Sequence, residues 1–135
     1  MTELVLDASV VLKWIAPAKL ERHAKQARSL RNGLIAGELL VVVPTLLELE
    51  LLNVAGRKWG WREPELLDLV DLIDALGFIS EEADTAVIAS WVARGLTAYD
   101  AAYVALAEER RIMLVTDDET TVQAAPDLAV PLARV

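Results

Sequence analysis

A three-layer α/β/α fold around a central, mostly parallel sheet is what this sequence predicts, and three observations predict it. Short runs rich in valine and leucine, such as "LLVVV" (39–43) and "IMLVT" (112–116), read as strands. They are apolar throughout rather than alternating, as strands covered on both faces are. Stretches of helical periodicity separate them, which is the alternation that builds parallel βαβ units. The 135 residues suit one core, and no linker, repeat or low-complexity segment divides them, so residues 1–135 are expected to form a single domain.

The first strand is expected in "ELVLDAS" (3–9), ending at Asp7, followed by a short helix in "VVLKWIA" (10–16) stopped near Pro17. From Lys19 to about Ile35 the pattern is helical, because Leu20, Ala24, Ala27, Leu30 and Leu34 recur at three and four residues and form one apolar stripe. "LLVVV" is the second strand. Pro44 then suits the first turn of a helix running from Thr45 to about Trp59, where its missing N–H costs nothing. Another helix spans Glu63 to about Ala75, with Pro64 near its first position, and "GFIS" (77–80) reads as a short strand. Ser80 followed by Glu81 and Glu82 marks a helix start over 81–94, since acids favour the positive end of the dipole. Thr97 caps a helix over 98–111. "IMLVT" is the next strand, a short helix begins at about Glu119, and "AVPLA" (129–133) is a last strand.

Composition removes several functions. There is no cysteine, hence no disulfide, thiolate metal site or thiol nucleophile, which suits a reducing cytoplasm. The start "MTELVLDAS" lacks the basic-then-apolar pattern of a secretory signal, and the apolar run "LLVVVPTLL" (39–47) is far too short to span a bilayer. A cytoplasmic protein outside the membrane is expected. The net charge of −8 argues against a general nucleic-acid coat. The charge is uneven, however. Residues 1–62 hold nine Lys/Arg against six Asp/Glu, and residues 63–135 hold four Arg against fifteen acids. A polyanion can still find a basic surface on the first half. No lysine follows Lys58, which disfavours a phospho-acceptor receiver domain, and no GxxxxGK stretch is present for a P-loop.

Ligands of such sheets bind outside the carboxyl ends of the strands. Asp7 ends the first strand, Asp117 and Asp118 end the "IMLVT" strand, and Asp100 lies in the first turn of its helix. In "PTLLELELLNVA", Glu48 and Glu50 point about 200° apart at roughly 100° per residue. Glu50 shares its face with Leu46, Leu47, Asn53 and Val54. Each acid also has a purely structural reading. Asp7 can cap the helix that follows it, Asp100 can complete a capping arrangement with Thr97, Asp117 or Asp118 can serve a helix dipole, and Glu50 can be exposed. Gathered at one mouth, however, the acids would raise one another's pKa unless a cation neutralised them. Oxygen ligands without cysteine select Mg²⁺ or Mn²⁺ over zinc, and such a site suits phosphodiester cleavage.

These residues resemble a known family. "VLDASVVLKW", "VPTLLELELLNVA", "LTAYDAAYVALA" and "LVTDDE" are similar, in order from residue 4 to about 119, to the four motifs of PIN-domain ribonucleases, above all the toxins of VapBC toxin–antitoxin pairs. The resemblance implies that Asp7, Glu50, Asp100 and Asp118 are catalytic. Glu50, unlike Glu48, has the family's spacing from Pro44 and Asn53. The last motif's threonine, any residue, aspartate places the fourth acid at Asp118, with Asp117 beside it as a further candidate metal ligand. Ser9, Asn53 and Thr116 match supporting positions. The implied protein is a Mg²⁺- or Mn²⁺-dependent endoribonuclease that leaves a 5′-phosphate and a 3′-hydroxyl. It would form a homodimer and be blocked by a cognate antitoxin. The competing reading is a non-catalytic PIN-like module that binds RNA or protein.

Lys19, Arg22, Lys25, Arg28 and Arg31 recur every three residues. They form a solvated helix face or, more sharply, an RNA-backbone contact led by Lys19, Arg22 and Lys25. His23, within that row, is expected at the surface and not as a ligand. Core packing accounts for most of Trp14, Trp59, Trp61 and Trp91, although Trp59 and Trp61 are also placed to meet a partner.

Overall fold

The computed structural model describes residues 1–15 and 22–135. Strands β1 (Thr2–Leu6), β2 (Leu39–Val43), β3 (Ile79–Ser80), β4 (Met113–Thr116) and β5 (Ala129–Pro131) form one sheet in the order β3-β2-β1-β4-β5. Every pair is parallel, with Leu4 beside Val41 on one side of β1 and beside Met113 on the other. The helices are α1 (Ala8–Ile15), α2 (Ala24–Ile35), α3 (Leu46–Arg57), α4 (Glu63–Leu76), α5 (Thr85–Ala93), α6 (Ala98–Arg110) and α7 (Glu119–Ala124), and a 3-10 turn at Leu132–Arg134 follows β5.

Consecutive strand residues point to opposite faces of a sheet. Val5 and Leu6, Val41 and Val42, and Leu114 and Val115 are all buried, so both faces are covered. The chain therefore has the three-layer α/β/α architecture that its uniformly apolar strands predict. Helix α6 packs on β1 and β4, and α5 packs on α6; α1 packs against α2, α3 and β4. From β1 the chain steps outward through β2 to β3, then returns across β1 to add β4 and β5. The strand order thus reverses between β1 and β4, which is where an open parallel sheet leaves a crevice at its carboxyl edge.

The last strand stops at Pro131, short of the expected 133, and β3 keeps only Ile79–Ser80 of 77–80; three helix starts also differ by two residues or more from the sequence expectation. Helix α1 begins at Ala8, directly after Asp7, whose main-chain oxygen accepts from Val10 N at 3.2 Å. Helix α2 begins at Ala24, with Arg22 and His23 in the preceding turn; the expected start at Lys19, like Pro17, lies outside the described residues. Helix α5 begins at Thr85 rather than at residue 81. Glu81 N donates to Val43 O at 3.0 Å and extends the sheet edge. Glu82 accepts from Thr45 N and Oγ1 at 2.9 and 2.7 Å, and Asp84 takes the cap by accepting from Ala86 N at 2.9 Å. Glu81 and Glu82 therefore serve neighbours in space, Arg110 and Thr45, rather than their own helix.

Trp91 is buried, its Nε1 donates to Glu108 Oε2 at 2.6 Å, and the Arg94 guanidinium lies 4.4 Å from its ring centroid. Trp59 and Trp61 are half-buried against the core with ring centroids 5.4 Å apart, so packing accounts for them. Among the described residues, no helix is long and apolar enough to cross a membrane.

Candidate active site

Asp7 leaves β1 at the strand-order reversal and is 6% exposed. A buried carboxylate needs partners, and two segments supply them. Ser9 N donates to its Oδ1 at 3.1 Å, in the geometry of a helix cap, and Ser9 Oγ donates to the same oxygen. Thr116 Oγ1, from the end of β4, donates to Oδ2. Asp7 is thus both the cap of α1 and a group aimed at the crevice. Burial pushes its pKa up to about 6; the bonds from Ser9 and Thr116 work in the opposite direction, and the charges of Asp100 and Asp118 raise it further.

Glu50 and Glu48 separate as the helical geometry requires. Glu48 is exposed, whereas Glu50 is half-buried and accepts from Tyr103 Oη at 2.5 Å. Burial raises the Glu50 pKa, the Tyr103 bond lowers it, and Asp100 raises it again. Tyr103 itself is buried, and burial together with Glu50, Asp7 and Asp100 holds its hydroxyl far above the usual range, so it remains a donor. Nothing in the sequence around Glu50 reveals this partner. The available signal was in α6, where Tyr103 lies three residues after Asp100 and so on the same helix face.

Asp100 sits in the first turn of α6, where its N–H donates to Thr97 Oγ1 at 3.1 Å. Burial raises its pKa and the charge of Asp118 adds to that rise, while the Thr97 bond opposes it. Asp118 caps α7, accepting from Thr120 N at 3.2 Å and Thr121 Oγ1 at 2.7 Å. Asp118 N donates to Thr116 Oγ1 at 3.0 Å. Asp7, Glu50, Asp100 and Asp118 are therefore electrostatic neighbours drawn from four parts of the chain. Asp117 turns elsewhere, with Lys13 Nζ 3.1 Å from its Oδ2 and His23 Nδ1 3.0 Å from its Oδ1. His23 is consequently half-buried in a polar contact rather than a surface residue.

An all-oxygen donor set, in which burial and neighbouring charge raise the pKa of Asp7, Glu50 and Asp100, fits a hard divalent cation by its chemistry. Among the described residues, no three carboxylates stand close enough, as placed, to grip one ion; the acids are neighbours by charge rather than a finished coordination sphere. Beside them a cavity of about 400 Å³ opens between Arg22, His23, Asp118 and Gln123. Asn53 is exposed on a groove shared with Leu46, Leu49, Glu50 and Tyr99. Arg22, Lys25 and Arg28 are exposed and Arg31 is half-buried, while Lys19 lies outside the described residues.

Phenylalanine in place of Tyr103 is expected to cost about 1 kcal/mol of stability and to raise the Glu50 pKa further. Urea unfolding and a carboxyl NMR titration check both, and an unmoved Glu50 titration would mean that the bond does not govern this carboxylate.

The PIN domain family model matches residues 4–125. No curated protein matches the sequence. Among solved structures, PAE2754 from Pyrobaculum aerophilum is similar with a TM-score of 0.70 at 20% identity, over 98% of this chain and 91% of that one. FitAcB from Neisseria gonorrhoeae gives a TM-score of 0.69 at 14% identity, over 98% and 99%. A structure of FitAB bound to an IR36 DNA fragment gives 0.67 at 18% identity, over 96% and 94%. At these identities the likeness is one of fold.

Proposed function

Because this chain belongs to the PIN-domain family, we propose that it is a Mg²⁺- or Mn²⁺-dependent endoribonuclease, the toxin of a VapBC-type toxin–antitoxin pair. PIN domains are generally nucleases and generally use divalent metal ions. The observation that carries the reading is the coupling of Asp7, Glu50, Asp100 and Asp118 at the carboxyl edge of the sheet. Four acids brought from distant segments to one partly buried edge of the sheet repel one another, and a cation relieves that cost.

In this reading Asp7, Glu50 and Asp100 hold the principal ion, and Asp118 completes the site. A bound Mg²⁺ or Mn²⁺ supplies water of lowered pKa and stabilises charge on the phosphate oxygens. Ser9 and Thr116 fix both oxygens of Asp7, and Tyr103 aims Glu50. Asp118 rather than Asp117 is the fourth acid, because its charge bears on Asp7 and Asp100 while Asp117 faces Lys13 and His23. Arg22 and Lys25, and Lys19 on sequence grounds, draw the RNA backbone toward the crevice. The chain acts in the cytoplasm as one domain over residues 1–135 and as a homodimer, and its cognate antitoxin silences it.

The test is cleavage of a total-RNA pool with Mg²⁺, with EDTA, and by the Glu50→Gln variant with Mg²⁺. Only the intact protein with Mg²⁺ is expected to cut, leaving 5′-phosphate ends. The same products in all three reactions would mark a contaminating nuclease, and no cleavage under any condition would favour the non-catalytic module.

A further inference from the structure

Two adjacent aspartates stand at the end of β4, and the fold treats them differently. Lys13, in the last turn of α1, is 8% exposed at its side chain with Nζ 3.1 Å from Asp117 Oδ2. Lysines are almost never buried without a partner, and Asp117 supplies opposite charge to this one. His23 approaches from the other side, its Nδ1 3.0 Å from Asp117 Oδ1. Its backbone is left-handed, with φ 59°, an uncommon conformation for a residue other than glycine and one that tends to cluster where geometry matters. Asp117 N donates to Ser9 Oγ at 2.9 Å. Both carboxylate oxygens and the amide of Asp117 are thus engaged by three residues, two from α1 and one from the turn before α2.

The next residue follows from this. Asp118 has extended backbone angles, φ −93° and ψ 112°. The chain bends at Asp117, and beyond the bend the Asp118 carboxylate caps α7 through Thr120 N and Thr121 Oγ1 while its charge bears on Asp7 and Asp100; holding Asp117 toward Lys13 and His23 holds the bend that presents Asp118 to those acids. The pairing also keeps a fifth negative charge out of a group that already repels itself.

We propose that Lys13 and His23 are positioning residues that clamp Asp117 and thereby commit Asp118, alone of the tandem pair, to the metal-binding acids. The proposal rests on the metal-dependent reading above. It assigns no ligand role to Lys13 or His23; they act through the backbone of residues 117–118.

Mn²⁺ binding to the full chain, measured by electron paramagnetic resonance alongside thermal melts, tests it. Asp118→Ala should weaken binding more than tenfold. Lys13→Ala should weaken it about tenfold, the lower end of the effect of losing a residue that orients a ligand. Asp117→Ala should weaken it similarly, and the Lys13→Ala/Asp117→Ala double variant no further than either single change, because both remove one clamp. Lys13→Arg should restore most of the affinity. A purely structural role would lower the melting temperature and leave Mn²⁺ affinity unmoved. That result, or fully additive losses in the double variant, overturns the clamp while leaving the metal site standing. Failure of the intact protein to bind Mn²⁺ would instead sink the metal-dependent reading and the clamp with it.

Discussion

Asparagine at position 7 is expected to abolish RNA cleavage and leave the fold intact. The substitution is nearly isosteric. Asn Oδ1 can still accept from Ser9 N and Oγ, and the new amide can donate to Thr116 Oγ1, which has lone pairs to offer. What disappears is one charge at the centre of the acid group. If that charge holds a metal ion, its loss costs several kcal/mol of transition-state stabilisation, so the rate should fall by roughly 10²–10³-fold. Single-turnover cleavage of a defined RNA, with circular dichroism as the control for folding, measures this. Cleavage within threefold of the wild-type rate by a folded Asp7→Asn protein would remove Asp7 from the chemistry.

Metal-free protein is expected to lose stability as pH rises from about 4 to 7, and this residue is a main cause. Folding raises the Asp7 pKa from 3.8 to about 6. The folded chain therefore keeps a proton that the unfolded chain releases. Its favourable contribution is full below pH 3.8 and lost as pH climbs through about 6. The gap corresponds to about 3 kcal/mol. Glu50 and Asp100 shift in the same direction and add to the slope. Other carboxylates contribute in their own ways, so the informative quantity is the wild-type unfolding free energy minus that of Asp7→Asn in EDTA. That difference should fall steadily over this range. Excess Mg²⁺ should flatten the wild-type curve, since an ion bound only by the folded state stabilises it. A flat difference in EDTA would mean that Asp7 ionises in the fold as readily as in water.

Much of this molecule was legible from its residues. Runs such as "LLVVV" and "IMLVT" are apolar without alternation, and that pattern requires two covering layers. Asp7, Asp100 and Asp118 were legible because each follows a strand end or opens a helix, positions that sequence marks well. What stayed hidden depends on partners far along the chain. Thr45 claims Glu82 across the sheet edge, so the start of α5 moved to Thr85. The inward pull on Glu50 comes from Tyr103, 53 positions away. His23 reads as one more polar residue in a basic row until Asp117, 94 positions later, is seen beside it. The doubled aspartate presents the same difficulty: its two members are identical side chains, and Lys13 and His23, which hold Asp117, come from far along the chain, while Asp118 caps α7.

The hydroxyl of Thr116 reaches a carboxylate 109 positions earlier in the chain. Such a contact closes a long loop and can form only once both of its ends are available to the folding chain. A nascent chain that has not yet released its fourth strand from the ribosome has no finished crevice. Under the proposed activity, synthesis itself then acts as a safety delay: the ribosome making this protein is not exposed to it until the residues through Asp118 have emerged.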